Sequence, residues 1–137
     1  MKIEDCIFYQ LSKANQAGAR FLSENLAPFG VTGVQGVVLN FLLDADQVTS
    51  RQLGQRTKLD SATLTGILDR LEATELVERR AHPVDRRAIL VCLTKRGKKV
   101  AAHVHATILR ANRELMAAFE AEEEKALRRM LQRLHQG

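Results

Sequence analysis

TSRQLGQRTKLDSATLTGILDRLEATELVERRAHPVDRRAILVCLT, residues Thr49 to Thr94, is the stretch that decides the fold. Thr49-x-x-Gln52 has capping-box spacing, in which each side chain satisfies the other residue's orphan backbone N–H. It opens a short helix that ends near Arg56, with Leu53 facing inward. Lys58-Leu59-Asp60 makes a turn, and Asp60 is a good N-cap for a second helix over residues 61–74. Leu64, Ile67, Leu68 and Leu71 give that helix one buried face. The opposite face near its start holds Ser61, Ala62, Thr63, Thr65 and Gly66, all small or hydroxyl-bearing. Such a surface can approach base edges closely; an ordinary exposed face has the same composition. Strands over 77–80 and 88–93 follow, the second alternating Ile89, Val91 and Leu93 with Leu90 and Cys92. Pro83 excludes helix from the 81–87 connection. Two short helices, a turn and a basic hairpin predict a winged helix-turn-helix, whose second helix enters the DNA major groove.

The charge pattern agrees. The chain has 137 residues, a net charge of +5 and a pI near 9.6. Between Leu76 and Val100 eight basic residues (Arg79, Arg80, Arg86, Arg87, Lys95, Arg96, Lys98, Lys99) face two acids, Glu78 and Asp85. The whole excess therefore sits on and beside the hairpin. A phosphate-binding surface accounts for that clustering; a solvated basic face is the plainer alternative. Arg86 and Arg87, at the end of the loop, suit insertion into a narrow, strongly negative minor groove.

Upstream, Ile7, Leu11, Ala14, Gly18, Phe21 and Leu22 recur at steps of three and four, predicting one helix over 4–26, stopped by Pro28 and Gly30. Thr32-x-x-Gln35 is another capping box. The helix it opens, 33–43, is almost wholly apolar and so expected to be buried on most sides. Gln47-Val48 is a short extended piece that can add a third strand. Downstream, Thr94 caps a helix running to about residue 120, with Val100, Val104, Ile108, Ala111, Leu115 and Phe119 on one face. The acidic run 122–124 suits the start of a last helix, whose stripe is Leu127, Met130, Leu131 and Leu134. Both ends offer more apolar edge than the central unit can cover. That predicts a homodimer built from 1–30 and 95–137, around a lobe of 31–94 with a wing over 76–94. A monomeric bundle that buries these stripes internally is the alternative.

Other classes are disfavoured. Apolar residues make up 45% and charged residues 27%, an ordinary globular balance. No apolar run approaches membrane-span length, and the first residues lack the pattern of a signal peptide, so a cytoplasmic protein without a membrane partner is expected. Cys6 and Cys92 form no disulfide framework and no metal motif. His82, His103, His105 and His135 show no ligand-pair spacing. No metal, no cofactor and no catalytic set is expected, and the reading is of a protein that is not an enzyme.

The chain resembles the multiple antibiotic resistance regulator (MarR) family. The wing Asp85-Arg86-Arg87 closed by Leu93-Thr94 is similar to that family's Asp-x-Arg wing with its Leu-Thr ending. The run from Leu64 to Arg80 is similar to its recognition helix and exit into the wing, and Val31-Thr32-x-x-Gln35 to its second helix start. The resemblance implies a mainly α fold with a small β-hairpin. It also implies a homodimer that binds a pseudo-palindromic operator in double-stranded DNA and represses transcription in response to a ligand. By position, Arg87 is the wing-tip minor-groove residue and Asp85 orients it or braces the wing. The DNA-facing set comprises Ser61, Ala62, Thr63, Thr65, Gly66, Arg70, Arg79, Arg80, Asp85, Arg86 and Arg87. Gly66 departs from the family, many of whose members have Arg there. Its absence removes a bidentate guanine contact and favours shape and backbone readout. The rival reading is a winged-helix protein-interaction module without specific DNA binding.

The resemblance also implies a small aromatic or phenolic effector, for which Phe8, Tyr9, Phe21 and Phe29 are the candidate lining; plain core packing is the other reading of these side chains. Cys6 invites comparison with the hydroperoxide-sensing branch, since a helix N-terminus lowers a thiol's pKa. The surrounding residues do not follow that branch, and an inert, partly buried thiol is the alternative.

Overall fold

The computed structural model describes residues 1–136. Six helices and a small antiparallel sheet follow one another as α1 (Ile7–Leu26), α2 (Gly33–Asp44), β1 (Val48–Thr49), α3 (Ser50–Thr57), α4 (Ser61–Ala73), β2 (Val77–Ala81), β3 (Ile89–Leu93), α5 (Lys95–Met116) and α6 (Ala121–Gln136). The sheet order is β1-β3-β2, with Val48 opposite Val91 and Val77 opposite Leu93. The short extended piece before α3 is thus the third strand.

Local chemistry sets most boundaries. Both capping boxes form. The Gln35 N–H donates to Thr32 Oγ1 at 3.2 Å and the Thr32 N–H to Gln35 Oε1 at 3.0 Å. Gln52 and Thr49 repeat the pair at 3.1 and 2.9 Å. Lys58, in the left-handed region at φ 58°, ends α3 and makes the turn. The Asp60 carboxylate then accepts the Thr63 N–H at 2.8 Å to start α4.

The core lies where α2, α3, α4, the sheet and α5 meet. Leu39, Leu42, Leu53, Val91 and Val104 are fully buried, and Leu64, Ile67, Leu68 and Leu71 bring the inner face of α4 onto them. α4, β2, β3 and α5 are joined at one node. The Thr94 N–H donates to the Leu76 carbonyl at 3.1 Å, its hydroxyl to the Glu75 carbonyl at 2.7 Å, and Arg96 to the Thr74 carbonyl at 2.6 Å. Gly97 is required here. A Cβ on it would lie 1.9 Å from the Leu76 carbonyl oxygen.

Some expectations need correction. Helix one does not start at residue 4. Residues Ile3–Asp5 form a separate 3-10 turn and Cys6 is extended, with the Gln10 side chain donating to the Glu4 carbonyl across the joint. Helix five stops at Met116, where a tight turn brings the Phe119 N–H to the Met116 carbonyl. Glu123 accepts the Glu120 N–H at 2.9 Å and starts α6 afresh. The strands are Val77–Ala81 and Ile89–Leu93, one residue later at the loop than expected. α2 is buried on most sides as expected, with Gly33, Gln35, Gly36, Val38, Leu39 and Leu42 buried, but Val34, Val37 and Leu43 stay exposed. No residue of α6 is buried, and Met130, Leu131 and Leu134 are all exposed. Among the described residues, no single helix is long and apolar enough to cross a membrane.

Candidate nucleic-acid interface

α4 presents the predicted face to solvent: Ser61, Ala62, Thr63, Thr65, Gly66 and Arg70 are all exposed. Two of its hydroxyl protons are taken locally. Thr63 donates to Asp60 Oδ2 at 2.7 Å and Thr65 to the Ser61 carbonyl at 2.8 Å. These oxygens keep lone pairs for an outside donor. The two bonds also fix both rotamers. The double contact with Thr63, backbone first, holds the Asp60 carboxyl below its usual range. Nothing lies within 4 Å of the Cβ position of Gly66, so no packing demand explains a glycine there.

The basic residues divide into two kinds. Arg79 points back at the protein. Its guanidinium donates to Asp69 at 2.7 Å, lies 3.6 Å from Glu72 and reaches the Thr65 carbonyl at 3.5 Å. Arg80 pairs with Glu78. Both were expected to face DNA; without DNA, acids within reach on α4 and β2 pair with them. Arg86 and Arg87 are exposed, and neither pairs with a carboxylate among the described residues. Asp85 braces the wing through the backbone rather than by pairing with the Arg87 guanidinium. Its Oδ1 accepts the Arg87 N–H at 3.0 Å and its carbonyl the Ala88 N–H at 3.1 Å.

One candidate was missed in the sequence. Arg51, exposed on the first turn of α3, lines a cleft of about 500 Å³ with Ser50, Asp85 and Arg87. It also lines one of about 430 Å³ with Ser61 and Thr65. It therefore stands between the wing tip and the start of α4. The signal was present: a cation in the first turn opposes the helix dipole, an unfavourable placement that an external anion would reverse.

Residues 29–88 match the model of the MarR family. The multiple antibiotic resistance protein MarR of Escherichia coli is 32% identical over 121 residues, covering 88% of this chain and 84% of that protein. The chain belongs to the MarR family. Within that family, a Pseudomonas aeruginosa structure titled as a "probable transcriptional regulator" superposes with a TM-score of 0.91 at 32% identity, covering 97% of this chain and 99% of that one. A mutant MarR from Escherichia coli complexed with operator DNA superposes with a TM-score of 0.88 at 28% identity, covering 98% and 99%. The protein is accordingly a transcriptional regulator of MarR type, with a MarR winged helix carrying α4 and the β2–β3 wing.

The aromatic set does not converge on a pocket. Phe8 is 80% exposed, Tyr9 lies under Lys13, Phe21 is half-buried, and Phe29 stacks on His103 at 6.1 Å. A cleft of about 890 Å³ does lie between α1 and α2, but Leu11, Ala14, Gly18, Leu22, Val34 and Val37 line it, with Leu131 from α6. The helix face turned to α2 is the Leu11–Ala14–Gly18–Leu22 row, and Phe21 sits about 100° round from Leu22. Cys6 is half-buried at the joint before α1, and Cys92 is buried in β3, where burial pushes its thiol up. No cluster of three potential metal ligands occurs among the described residues. His105 instead bonds Asn40 at 2.6 Å.

Proposed function

We propose that this regulator grips a pseudo-palindromic operator as a homodimer, each α4 in the major groove and each wing at the flanking minor groove, and that it represses transcription. The observation that carries this reading is the arrangement of Arg51, Arg86 and Arg87. These exposed cations flank the small, hydroxyl-bearing face of α4, on a fold that MarR uses in complex with operator DNA. Phosphates bound by the cations would set register, and the α4 face would approach the bases. Ser61, Thr63, Thr65 and Arg70 are the base- or phosphate-facing residues on this reading. Arg79 and Arg80 hold the interface together rather than touching DNA.

Residues 1–30 and 95–137 form the dimer arm and 31–94 the DNA-binding lobe, with 76–94 the wing. Exposed Ile7, Leu11, Leu115, Phe119, Met130, Leu131 and Leu134 support that division. Pairing must place the two α4 helices one DNA turn apart, roughly 34–36 Å. The α1–α2 cleft is the seat for an apolar, ring-sized effector. Such a ligand would lower operator affinity by its preference for a different lobe spacing. The regulator acts in the cytoplasm and catalyses no reaction.

A salt titration of binding to the DNA upstream of its own gene, against a scrambled duplex, tests this. Specific binding with a steep salt slope is expected. Arg87→Ala should weaken binding and reduce the slope by about 0.9 per subunit for one lost phosphate contact. An unchanged slope with unchanged affinity would remove the wing from the interface.

A further inference from the structure

His82 stands at the root of the wing tip and takes no part in the interface assigned above. Its Nδ1 accepts the backbone N–H of Val84 at 3.1 Å and that of Asp85 at 3.0 Å. A backbone N–H can only donate, so Nδ1 carries a lone pair and the ring proton sits on Nε2. The ring does here what an Asn or Asp side chain does in an Asx-turn. Order then passes round a closed circuit. Asp85 Oδ1 accepts the Arg87 N–H, the Asp85 carbonyl accepts the Ala88 N–H, and the Ala88 carbonyl accepts the His82 N–H at 3.1 Å.

We propose that His82 is a positioning residue for DNA binding: its neutral imidazole presets the loop that presents Arg86 and Arg87, and protonation releases that loop. The proposal rests on the wing reading given under Proposed function. A proton on Nδ1 would face two N–H donors, so the ordered loop and the protonated ring exclude one another, and acid favours the open loop. The charged groups of the hairpin and of the element against its tip are Glu78, Arg79, Arg80, Asp85, Arg86, Arg87 and, from α3, Arg51. Carboxylates and guanidiniums keep their charge between about pH 8 and about pH 5.5, so none of these neighbours changes charge across that range. The direction is diagnostic. Protonating a surface histidine ordinarily adds a cation and tightens binding to a polyanion; here it weakens binding.

The test compares wild type, His82→Asn and His82→Ala in the full chain. Asn Oδ1 supplies an acceptor in nearly the same place and does not titrate. The probe is a duplex that the wild-type protein selects from a random-sequence pool, with affinity read at fixed salt at about pH 8 and about pH 5.5. The amide signals of Val84 and Asp85 and the imidazole 15N signals are recorded without DNA. Wild type is expected to bind about tenfold more weakly in acid. His82→Asn should hold its affinity at both pH values, and His82→Ala should be about tenfold weaker at both. The two amide signals should move with pH in wild type and not in His82→Asn. An Nδ1–H tautomer at pH 8, or amide signals indifferent to His82→Ala, overturns the proposal without reference to DNA. Amides that respond while affinity does not also overturn it. Arg87→Ala then places the fault: an unchanged affinity there fails the wing reading, and a loss there confines the failure to His82.

Discussion

Arg79→Ala cuts the tie between the wing and the recognition helix. The guanidinium bridges β2 to Asp69, Glu72 and the Thr65 carbonyl, with only 24% of its side chain exposed. A hydrogen bond to a charged group contributes about 1.5–3 kcal/mol, whereas a fully exposed ion pair contributes below about 1 kcal/mol. The Asp69 and Glu72 side chains are 60% and 45% exposed, so water can replace the lost partner and neither is left stranded. The loss should therefore fall near the lower end, about 1.5 kcal/mol. A double-mutant cycle of Arg79→Ala with Asp69→Ala, read by urea unfolding, should return a coupling of about 1 kcal/mol. Operator affinity should fall as the angle between wing and helix loosens, but its salt slope should stay unchanged because no phosphate contact is lost. A coupling near zero, together with a slope lowered by about 0.9 per subunit, would refute the reasoning. Arg79 would then be leaving Asp69 for the DNA.

Three further substitutions test the frame around the interface. Gly97→Ala should destabilise by about 3 kcal/mol in urea unfolding, since its Cβ meets the Leu76 backbone at 1.9 and 2.8 Å, and backbone cannot yield as a side-chain tip can; a neutral result would show that α5 is not seated there. Gly66→Ala should do the reverse, stabilising by about 1 kcal/mol through helix propensity, while any fall in operator affinity would mark the closeness of the DNA. Asp60 has a folded-state pKa below the ordinary aspartate value, mainly through the Thr63 backbone N–H. Its contribution is present above that value and is lost as pH falls through the lower folded pKa. Asp60→Asn keeps a cap acceptor but does not titrate, so its stability should drop less than wild type's below about pH 4; equal acid sensitivity would count against the cap.

The parts legible in the sequence were those settled by near neighbours. Thr32, Thr49, Asp60 and Thr94 cap helices through contacts three residues away, and each forms as the spacing predicts. The buried row of α4 is equally local. The Arg79–Asp69 pair was not legible because Asp69 lies ten residues back, across the α4–β2 turn, and only the folded angle brings the two together. Arg51 was passed over because its relation to the wing depends on the β1–β3 pairing. The aromatic set and the cleft lie apart for a related reason. Helical periodicity grouped residues of α1 by face, but which face meets α2 is a property of packing, and a row of small and aliphatic side chains won that contact.

The node at Thr74, Glu75 and Leu76 has a mechanical consequence. The start of α5 is bonded to the three carbonyls that follow the end of α4, so the two helices meet like the arms of a bell crank. At about 1.5 Å per residue, α5 is a rod of roughly 33 Å and α4 one of roughly 20 Å. A rigid rotation about the shared pivot that carries Met116 through about 3 Å carries Ser61 through about 2 Å. That gearing steps motion down by about two-fifths. If α4 occupies the groove as proposed, a coarse displacement at the far end of α5 becomes a fine adjustment there, on the scale at which a hydrogen bond to a base edge is made or lost.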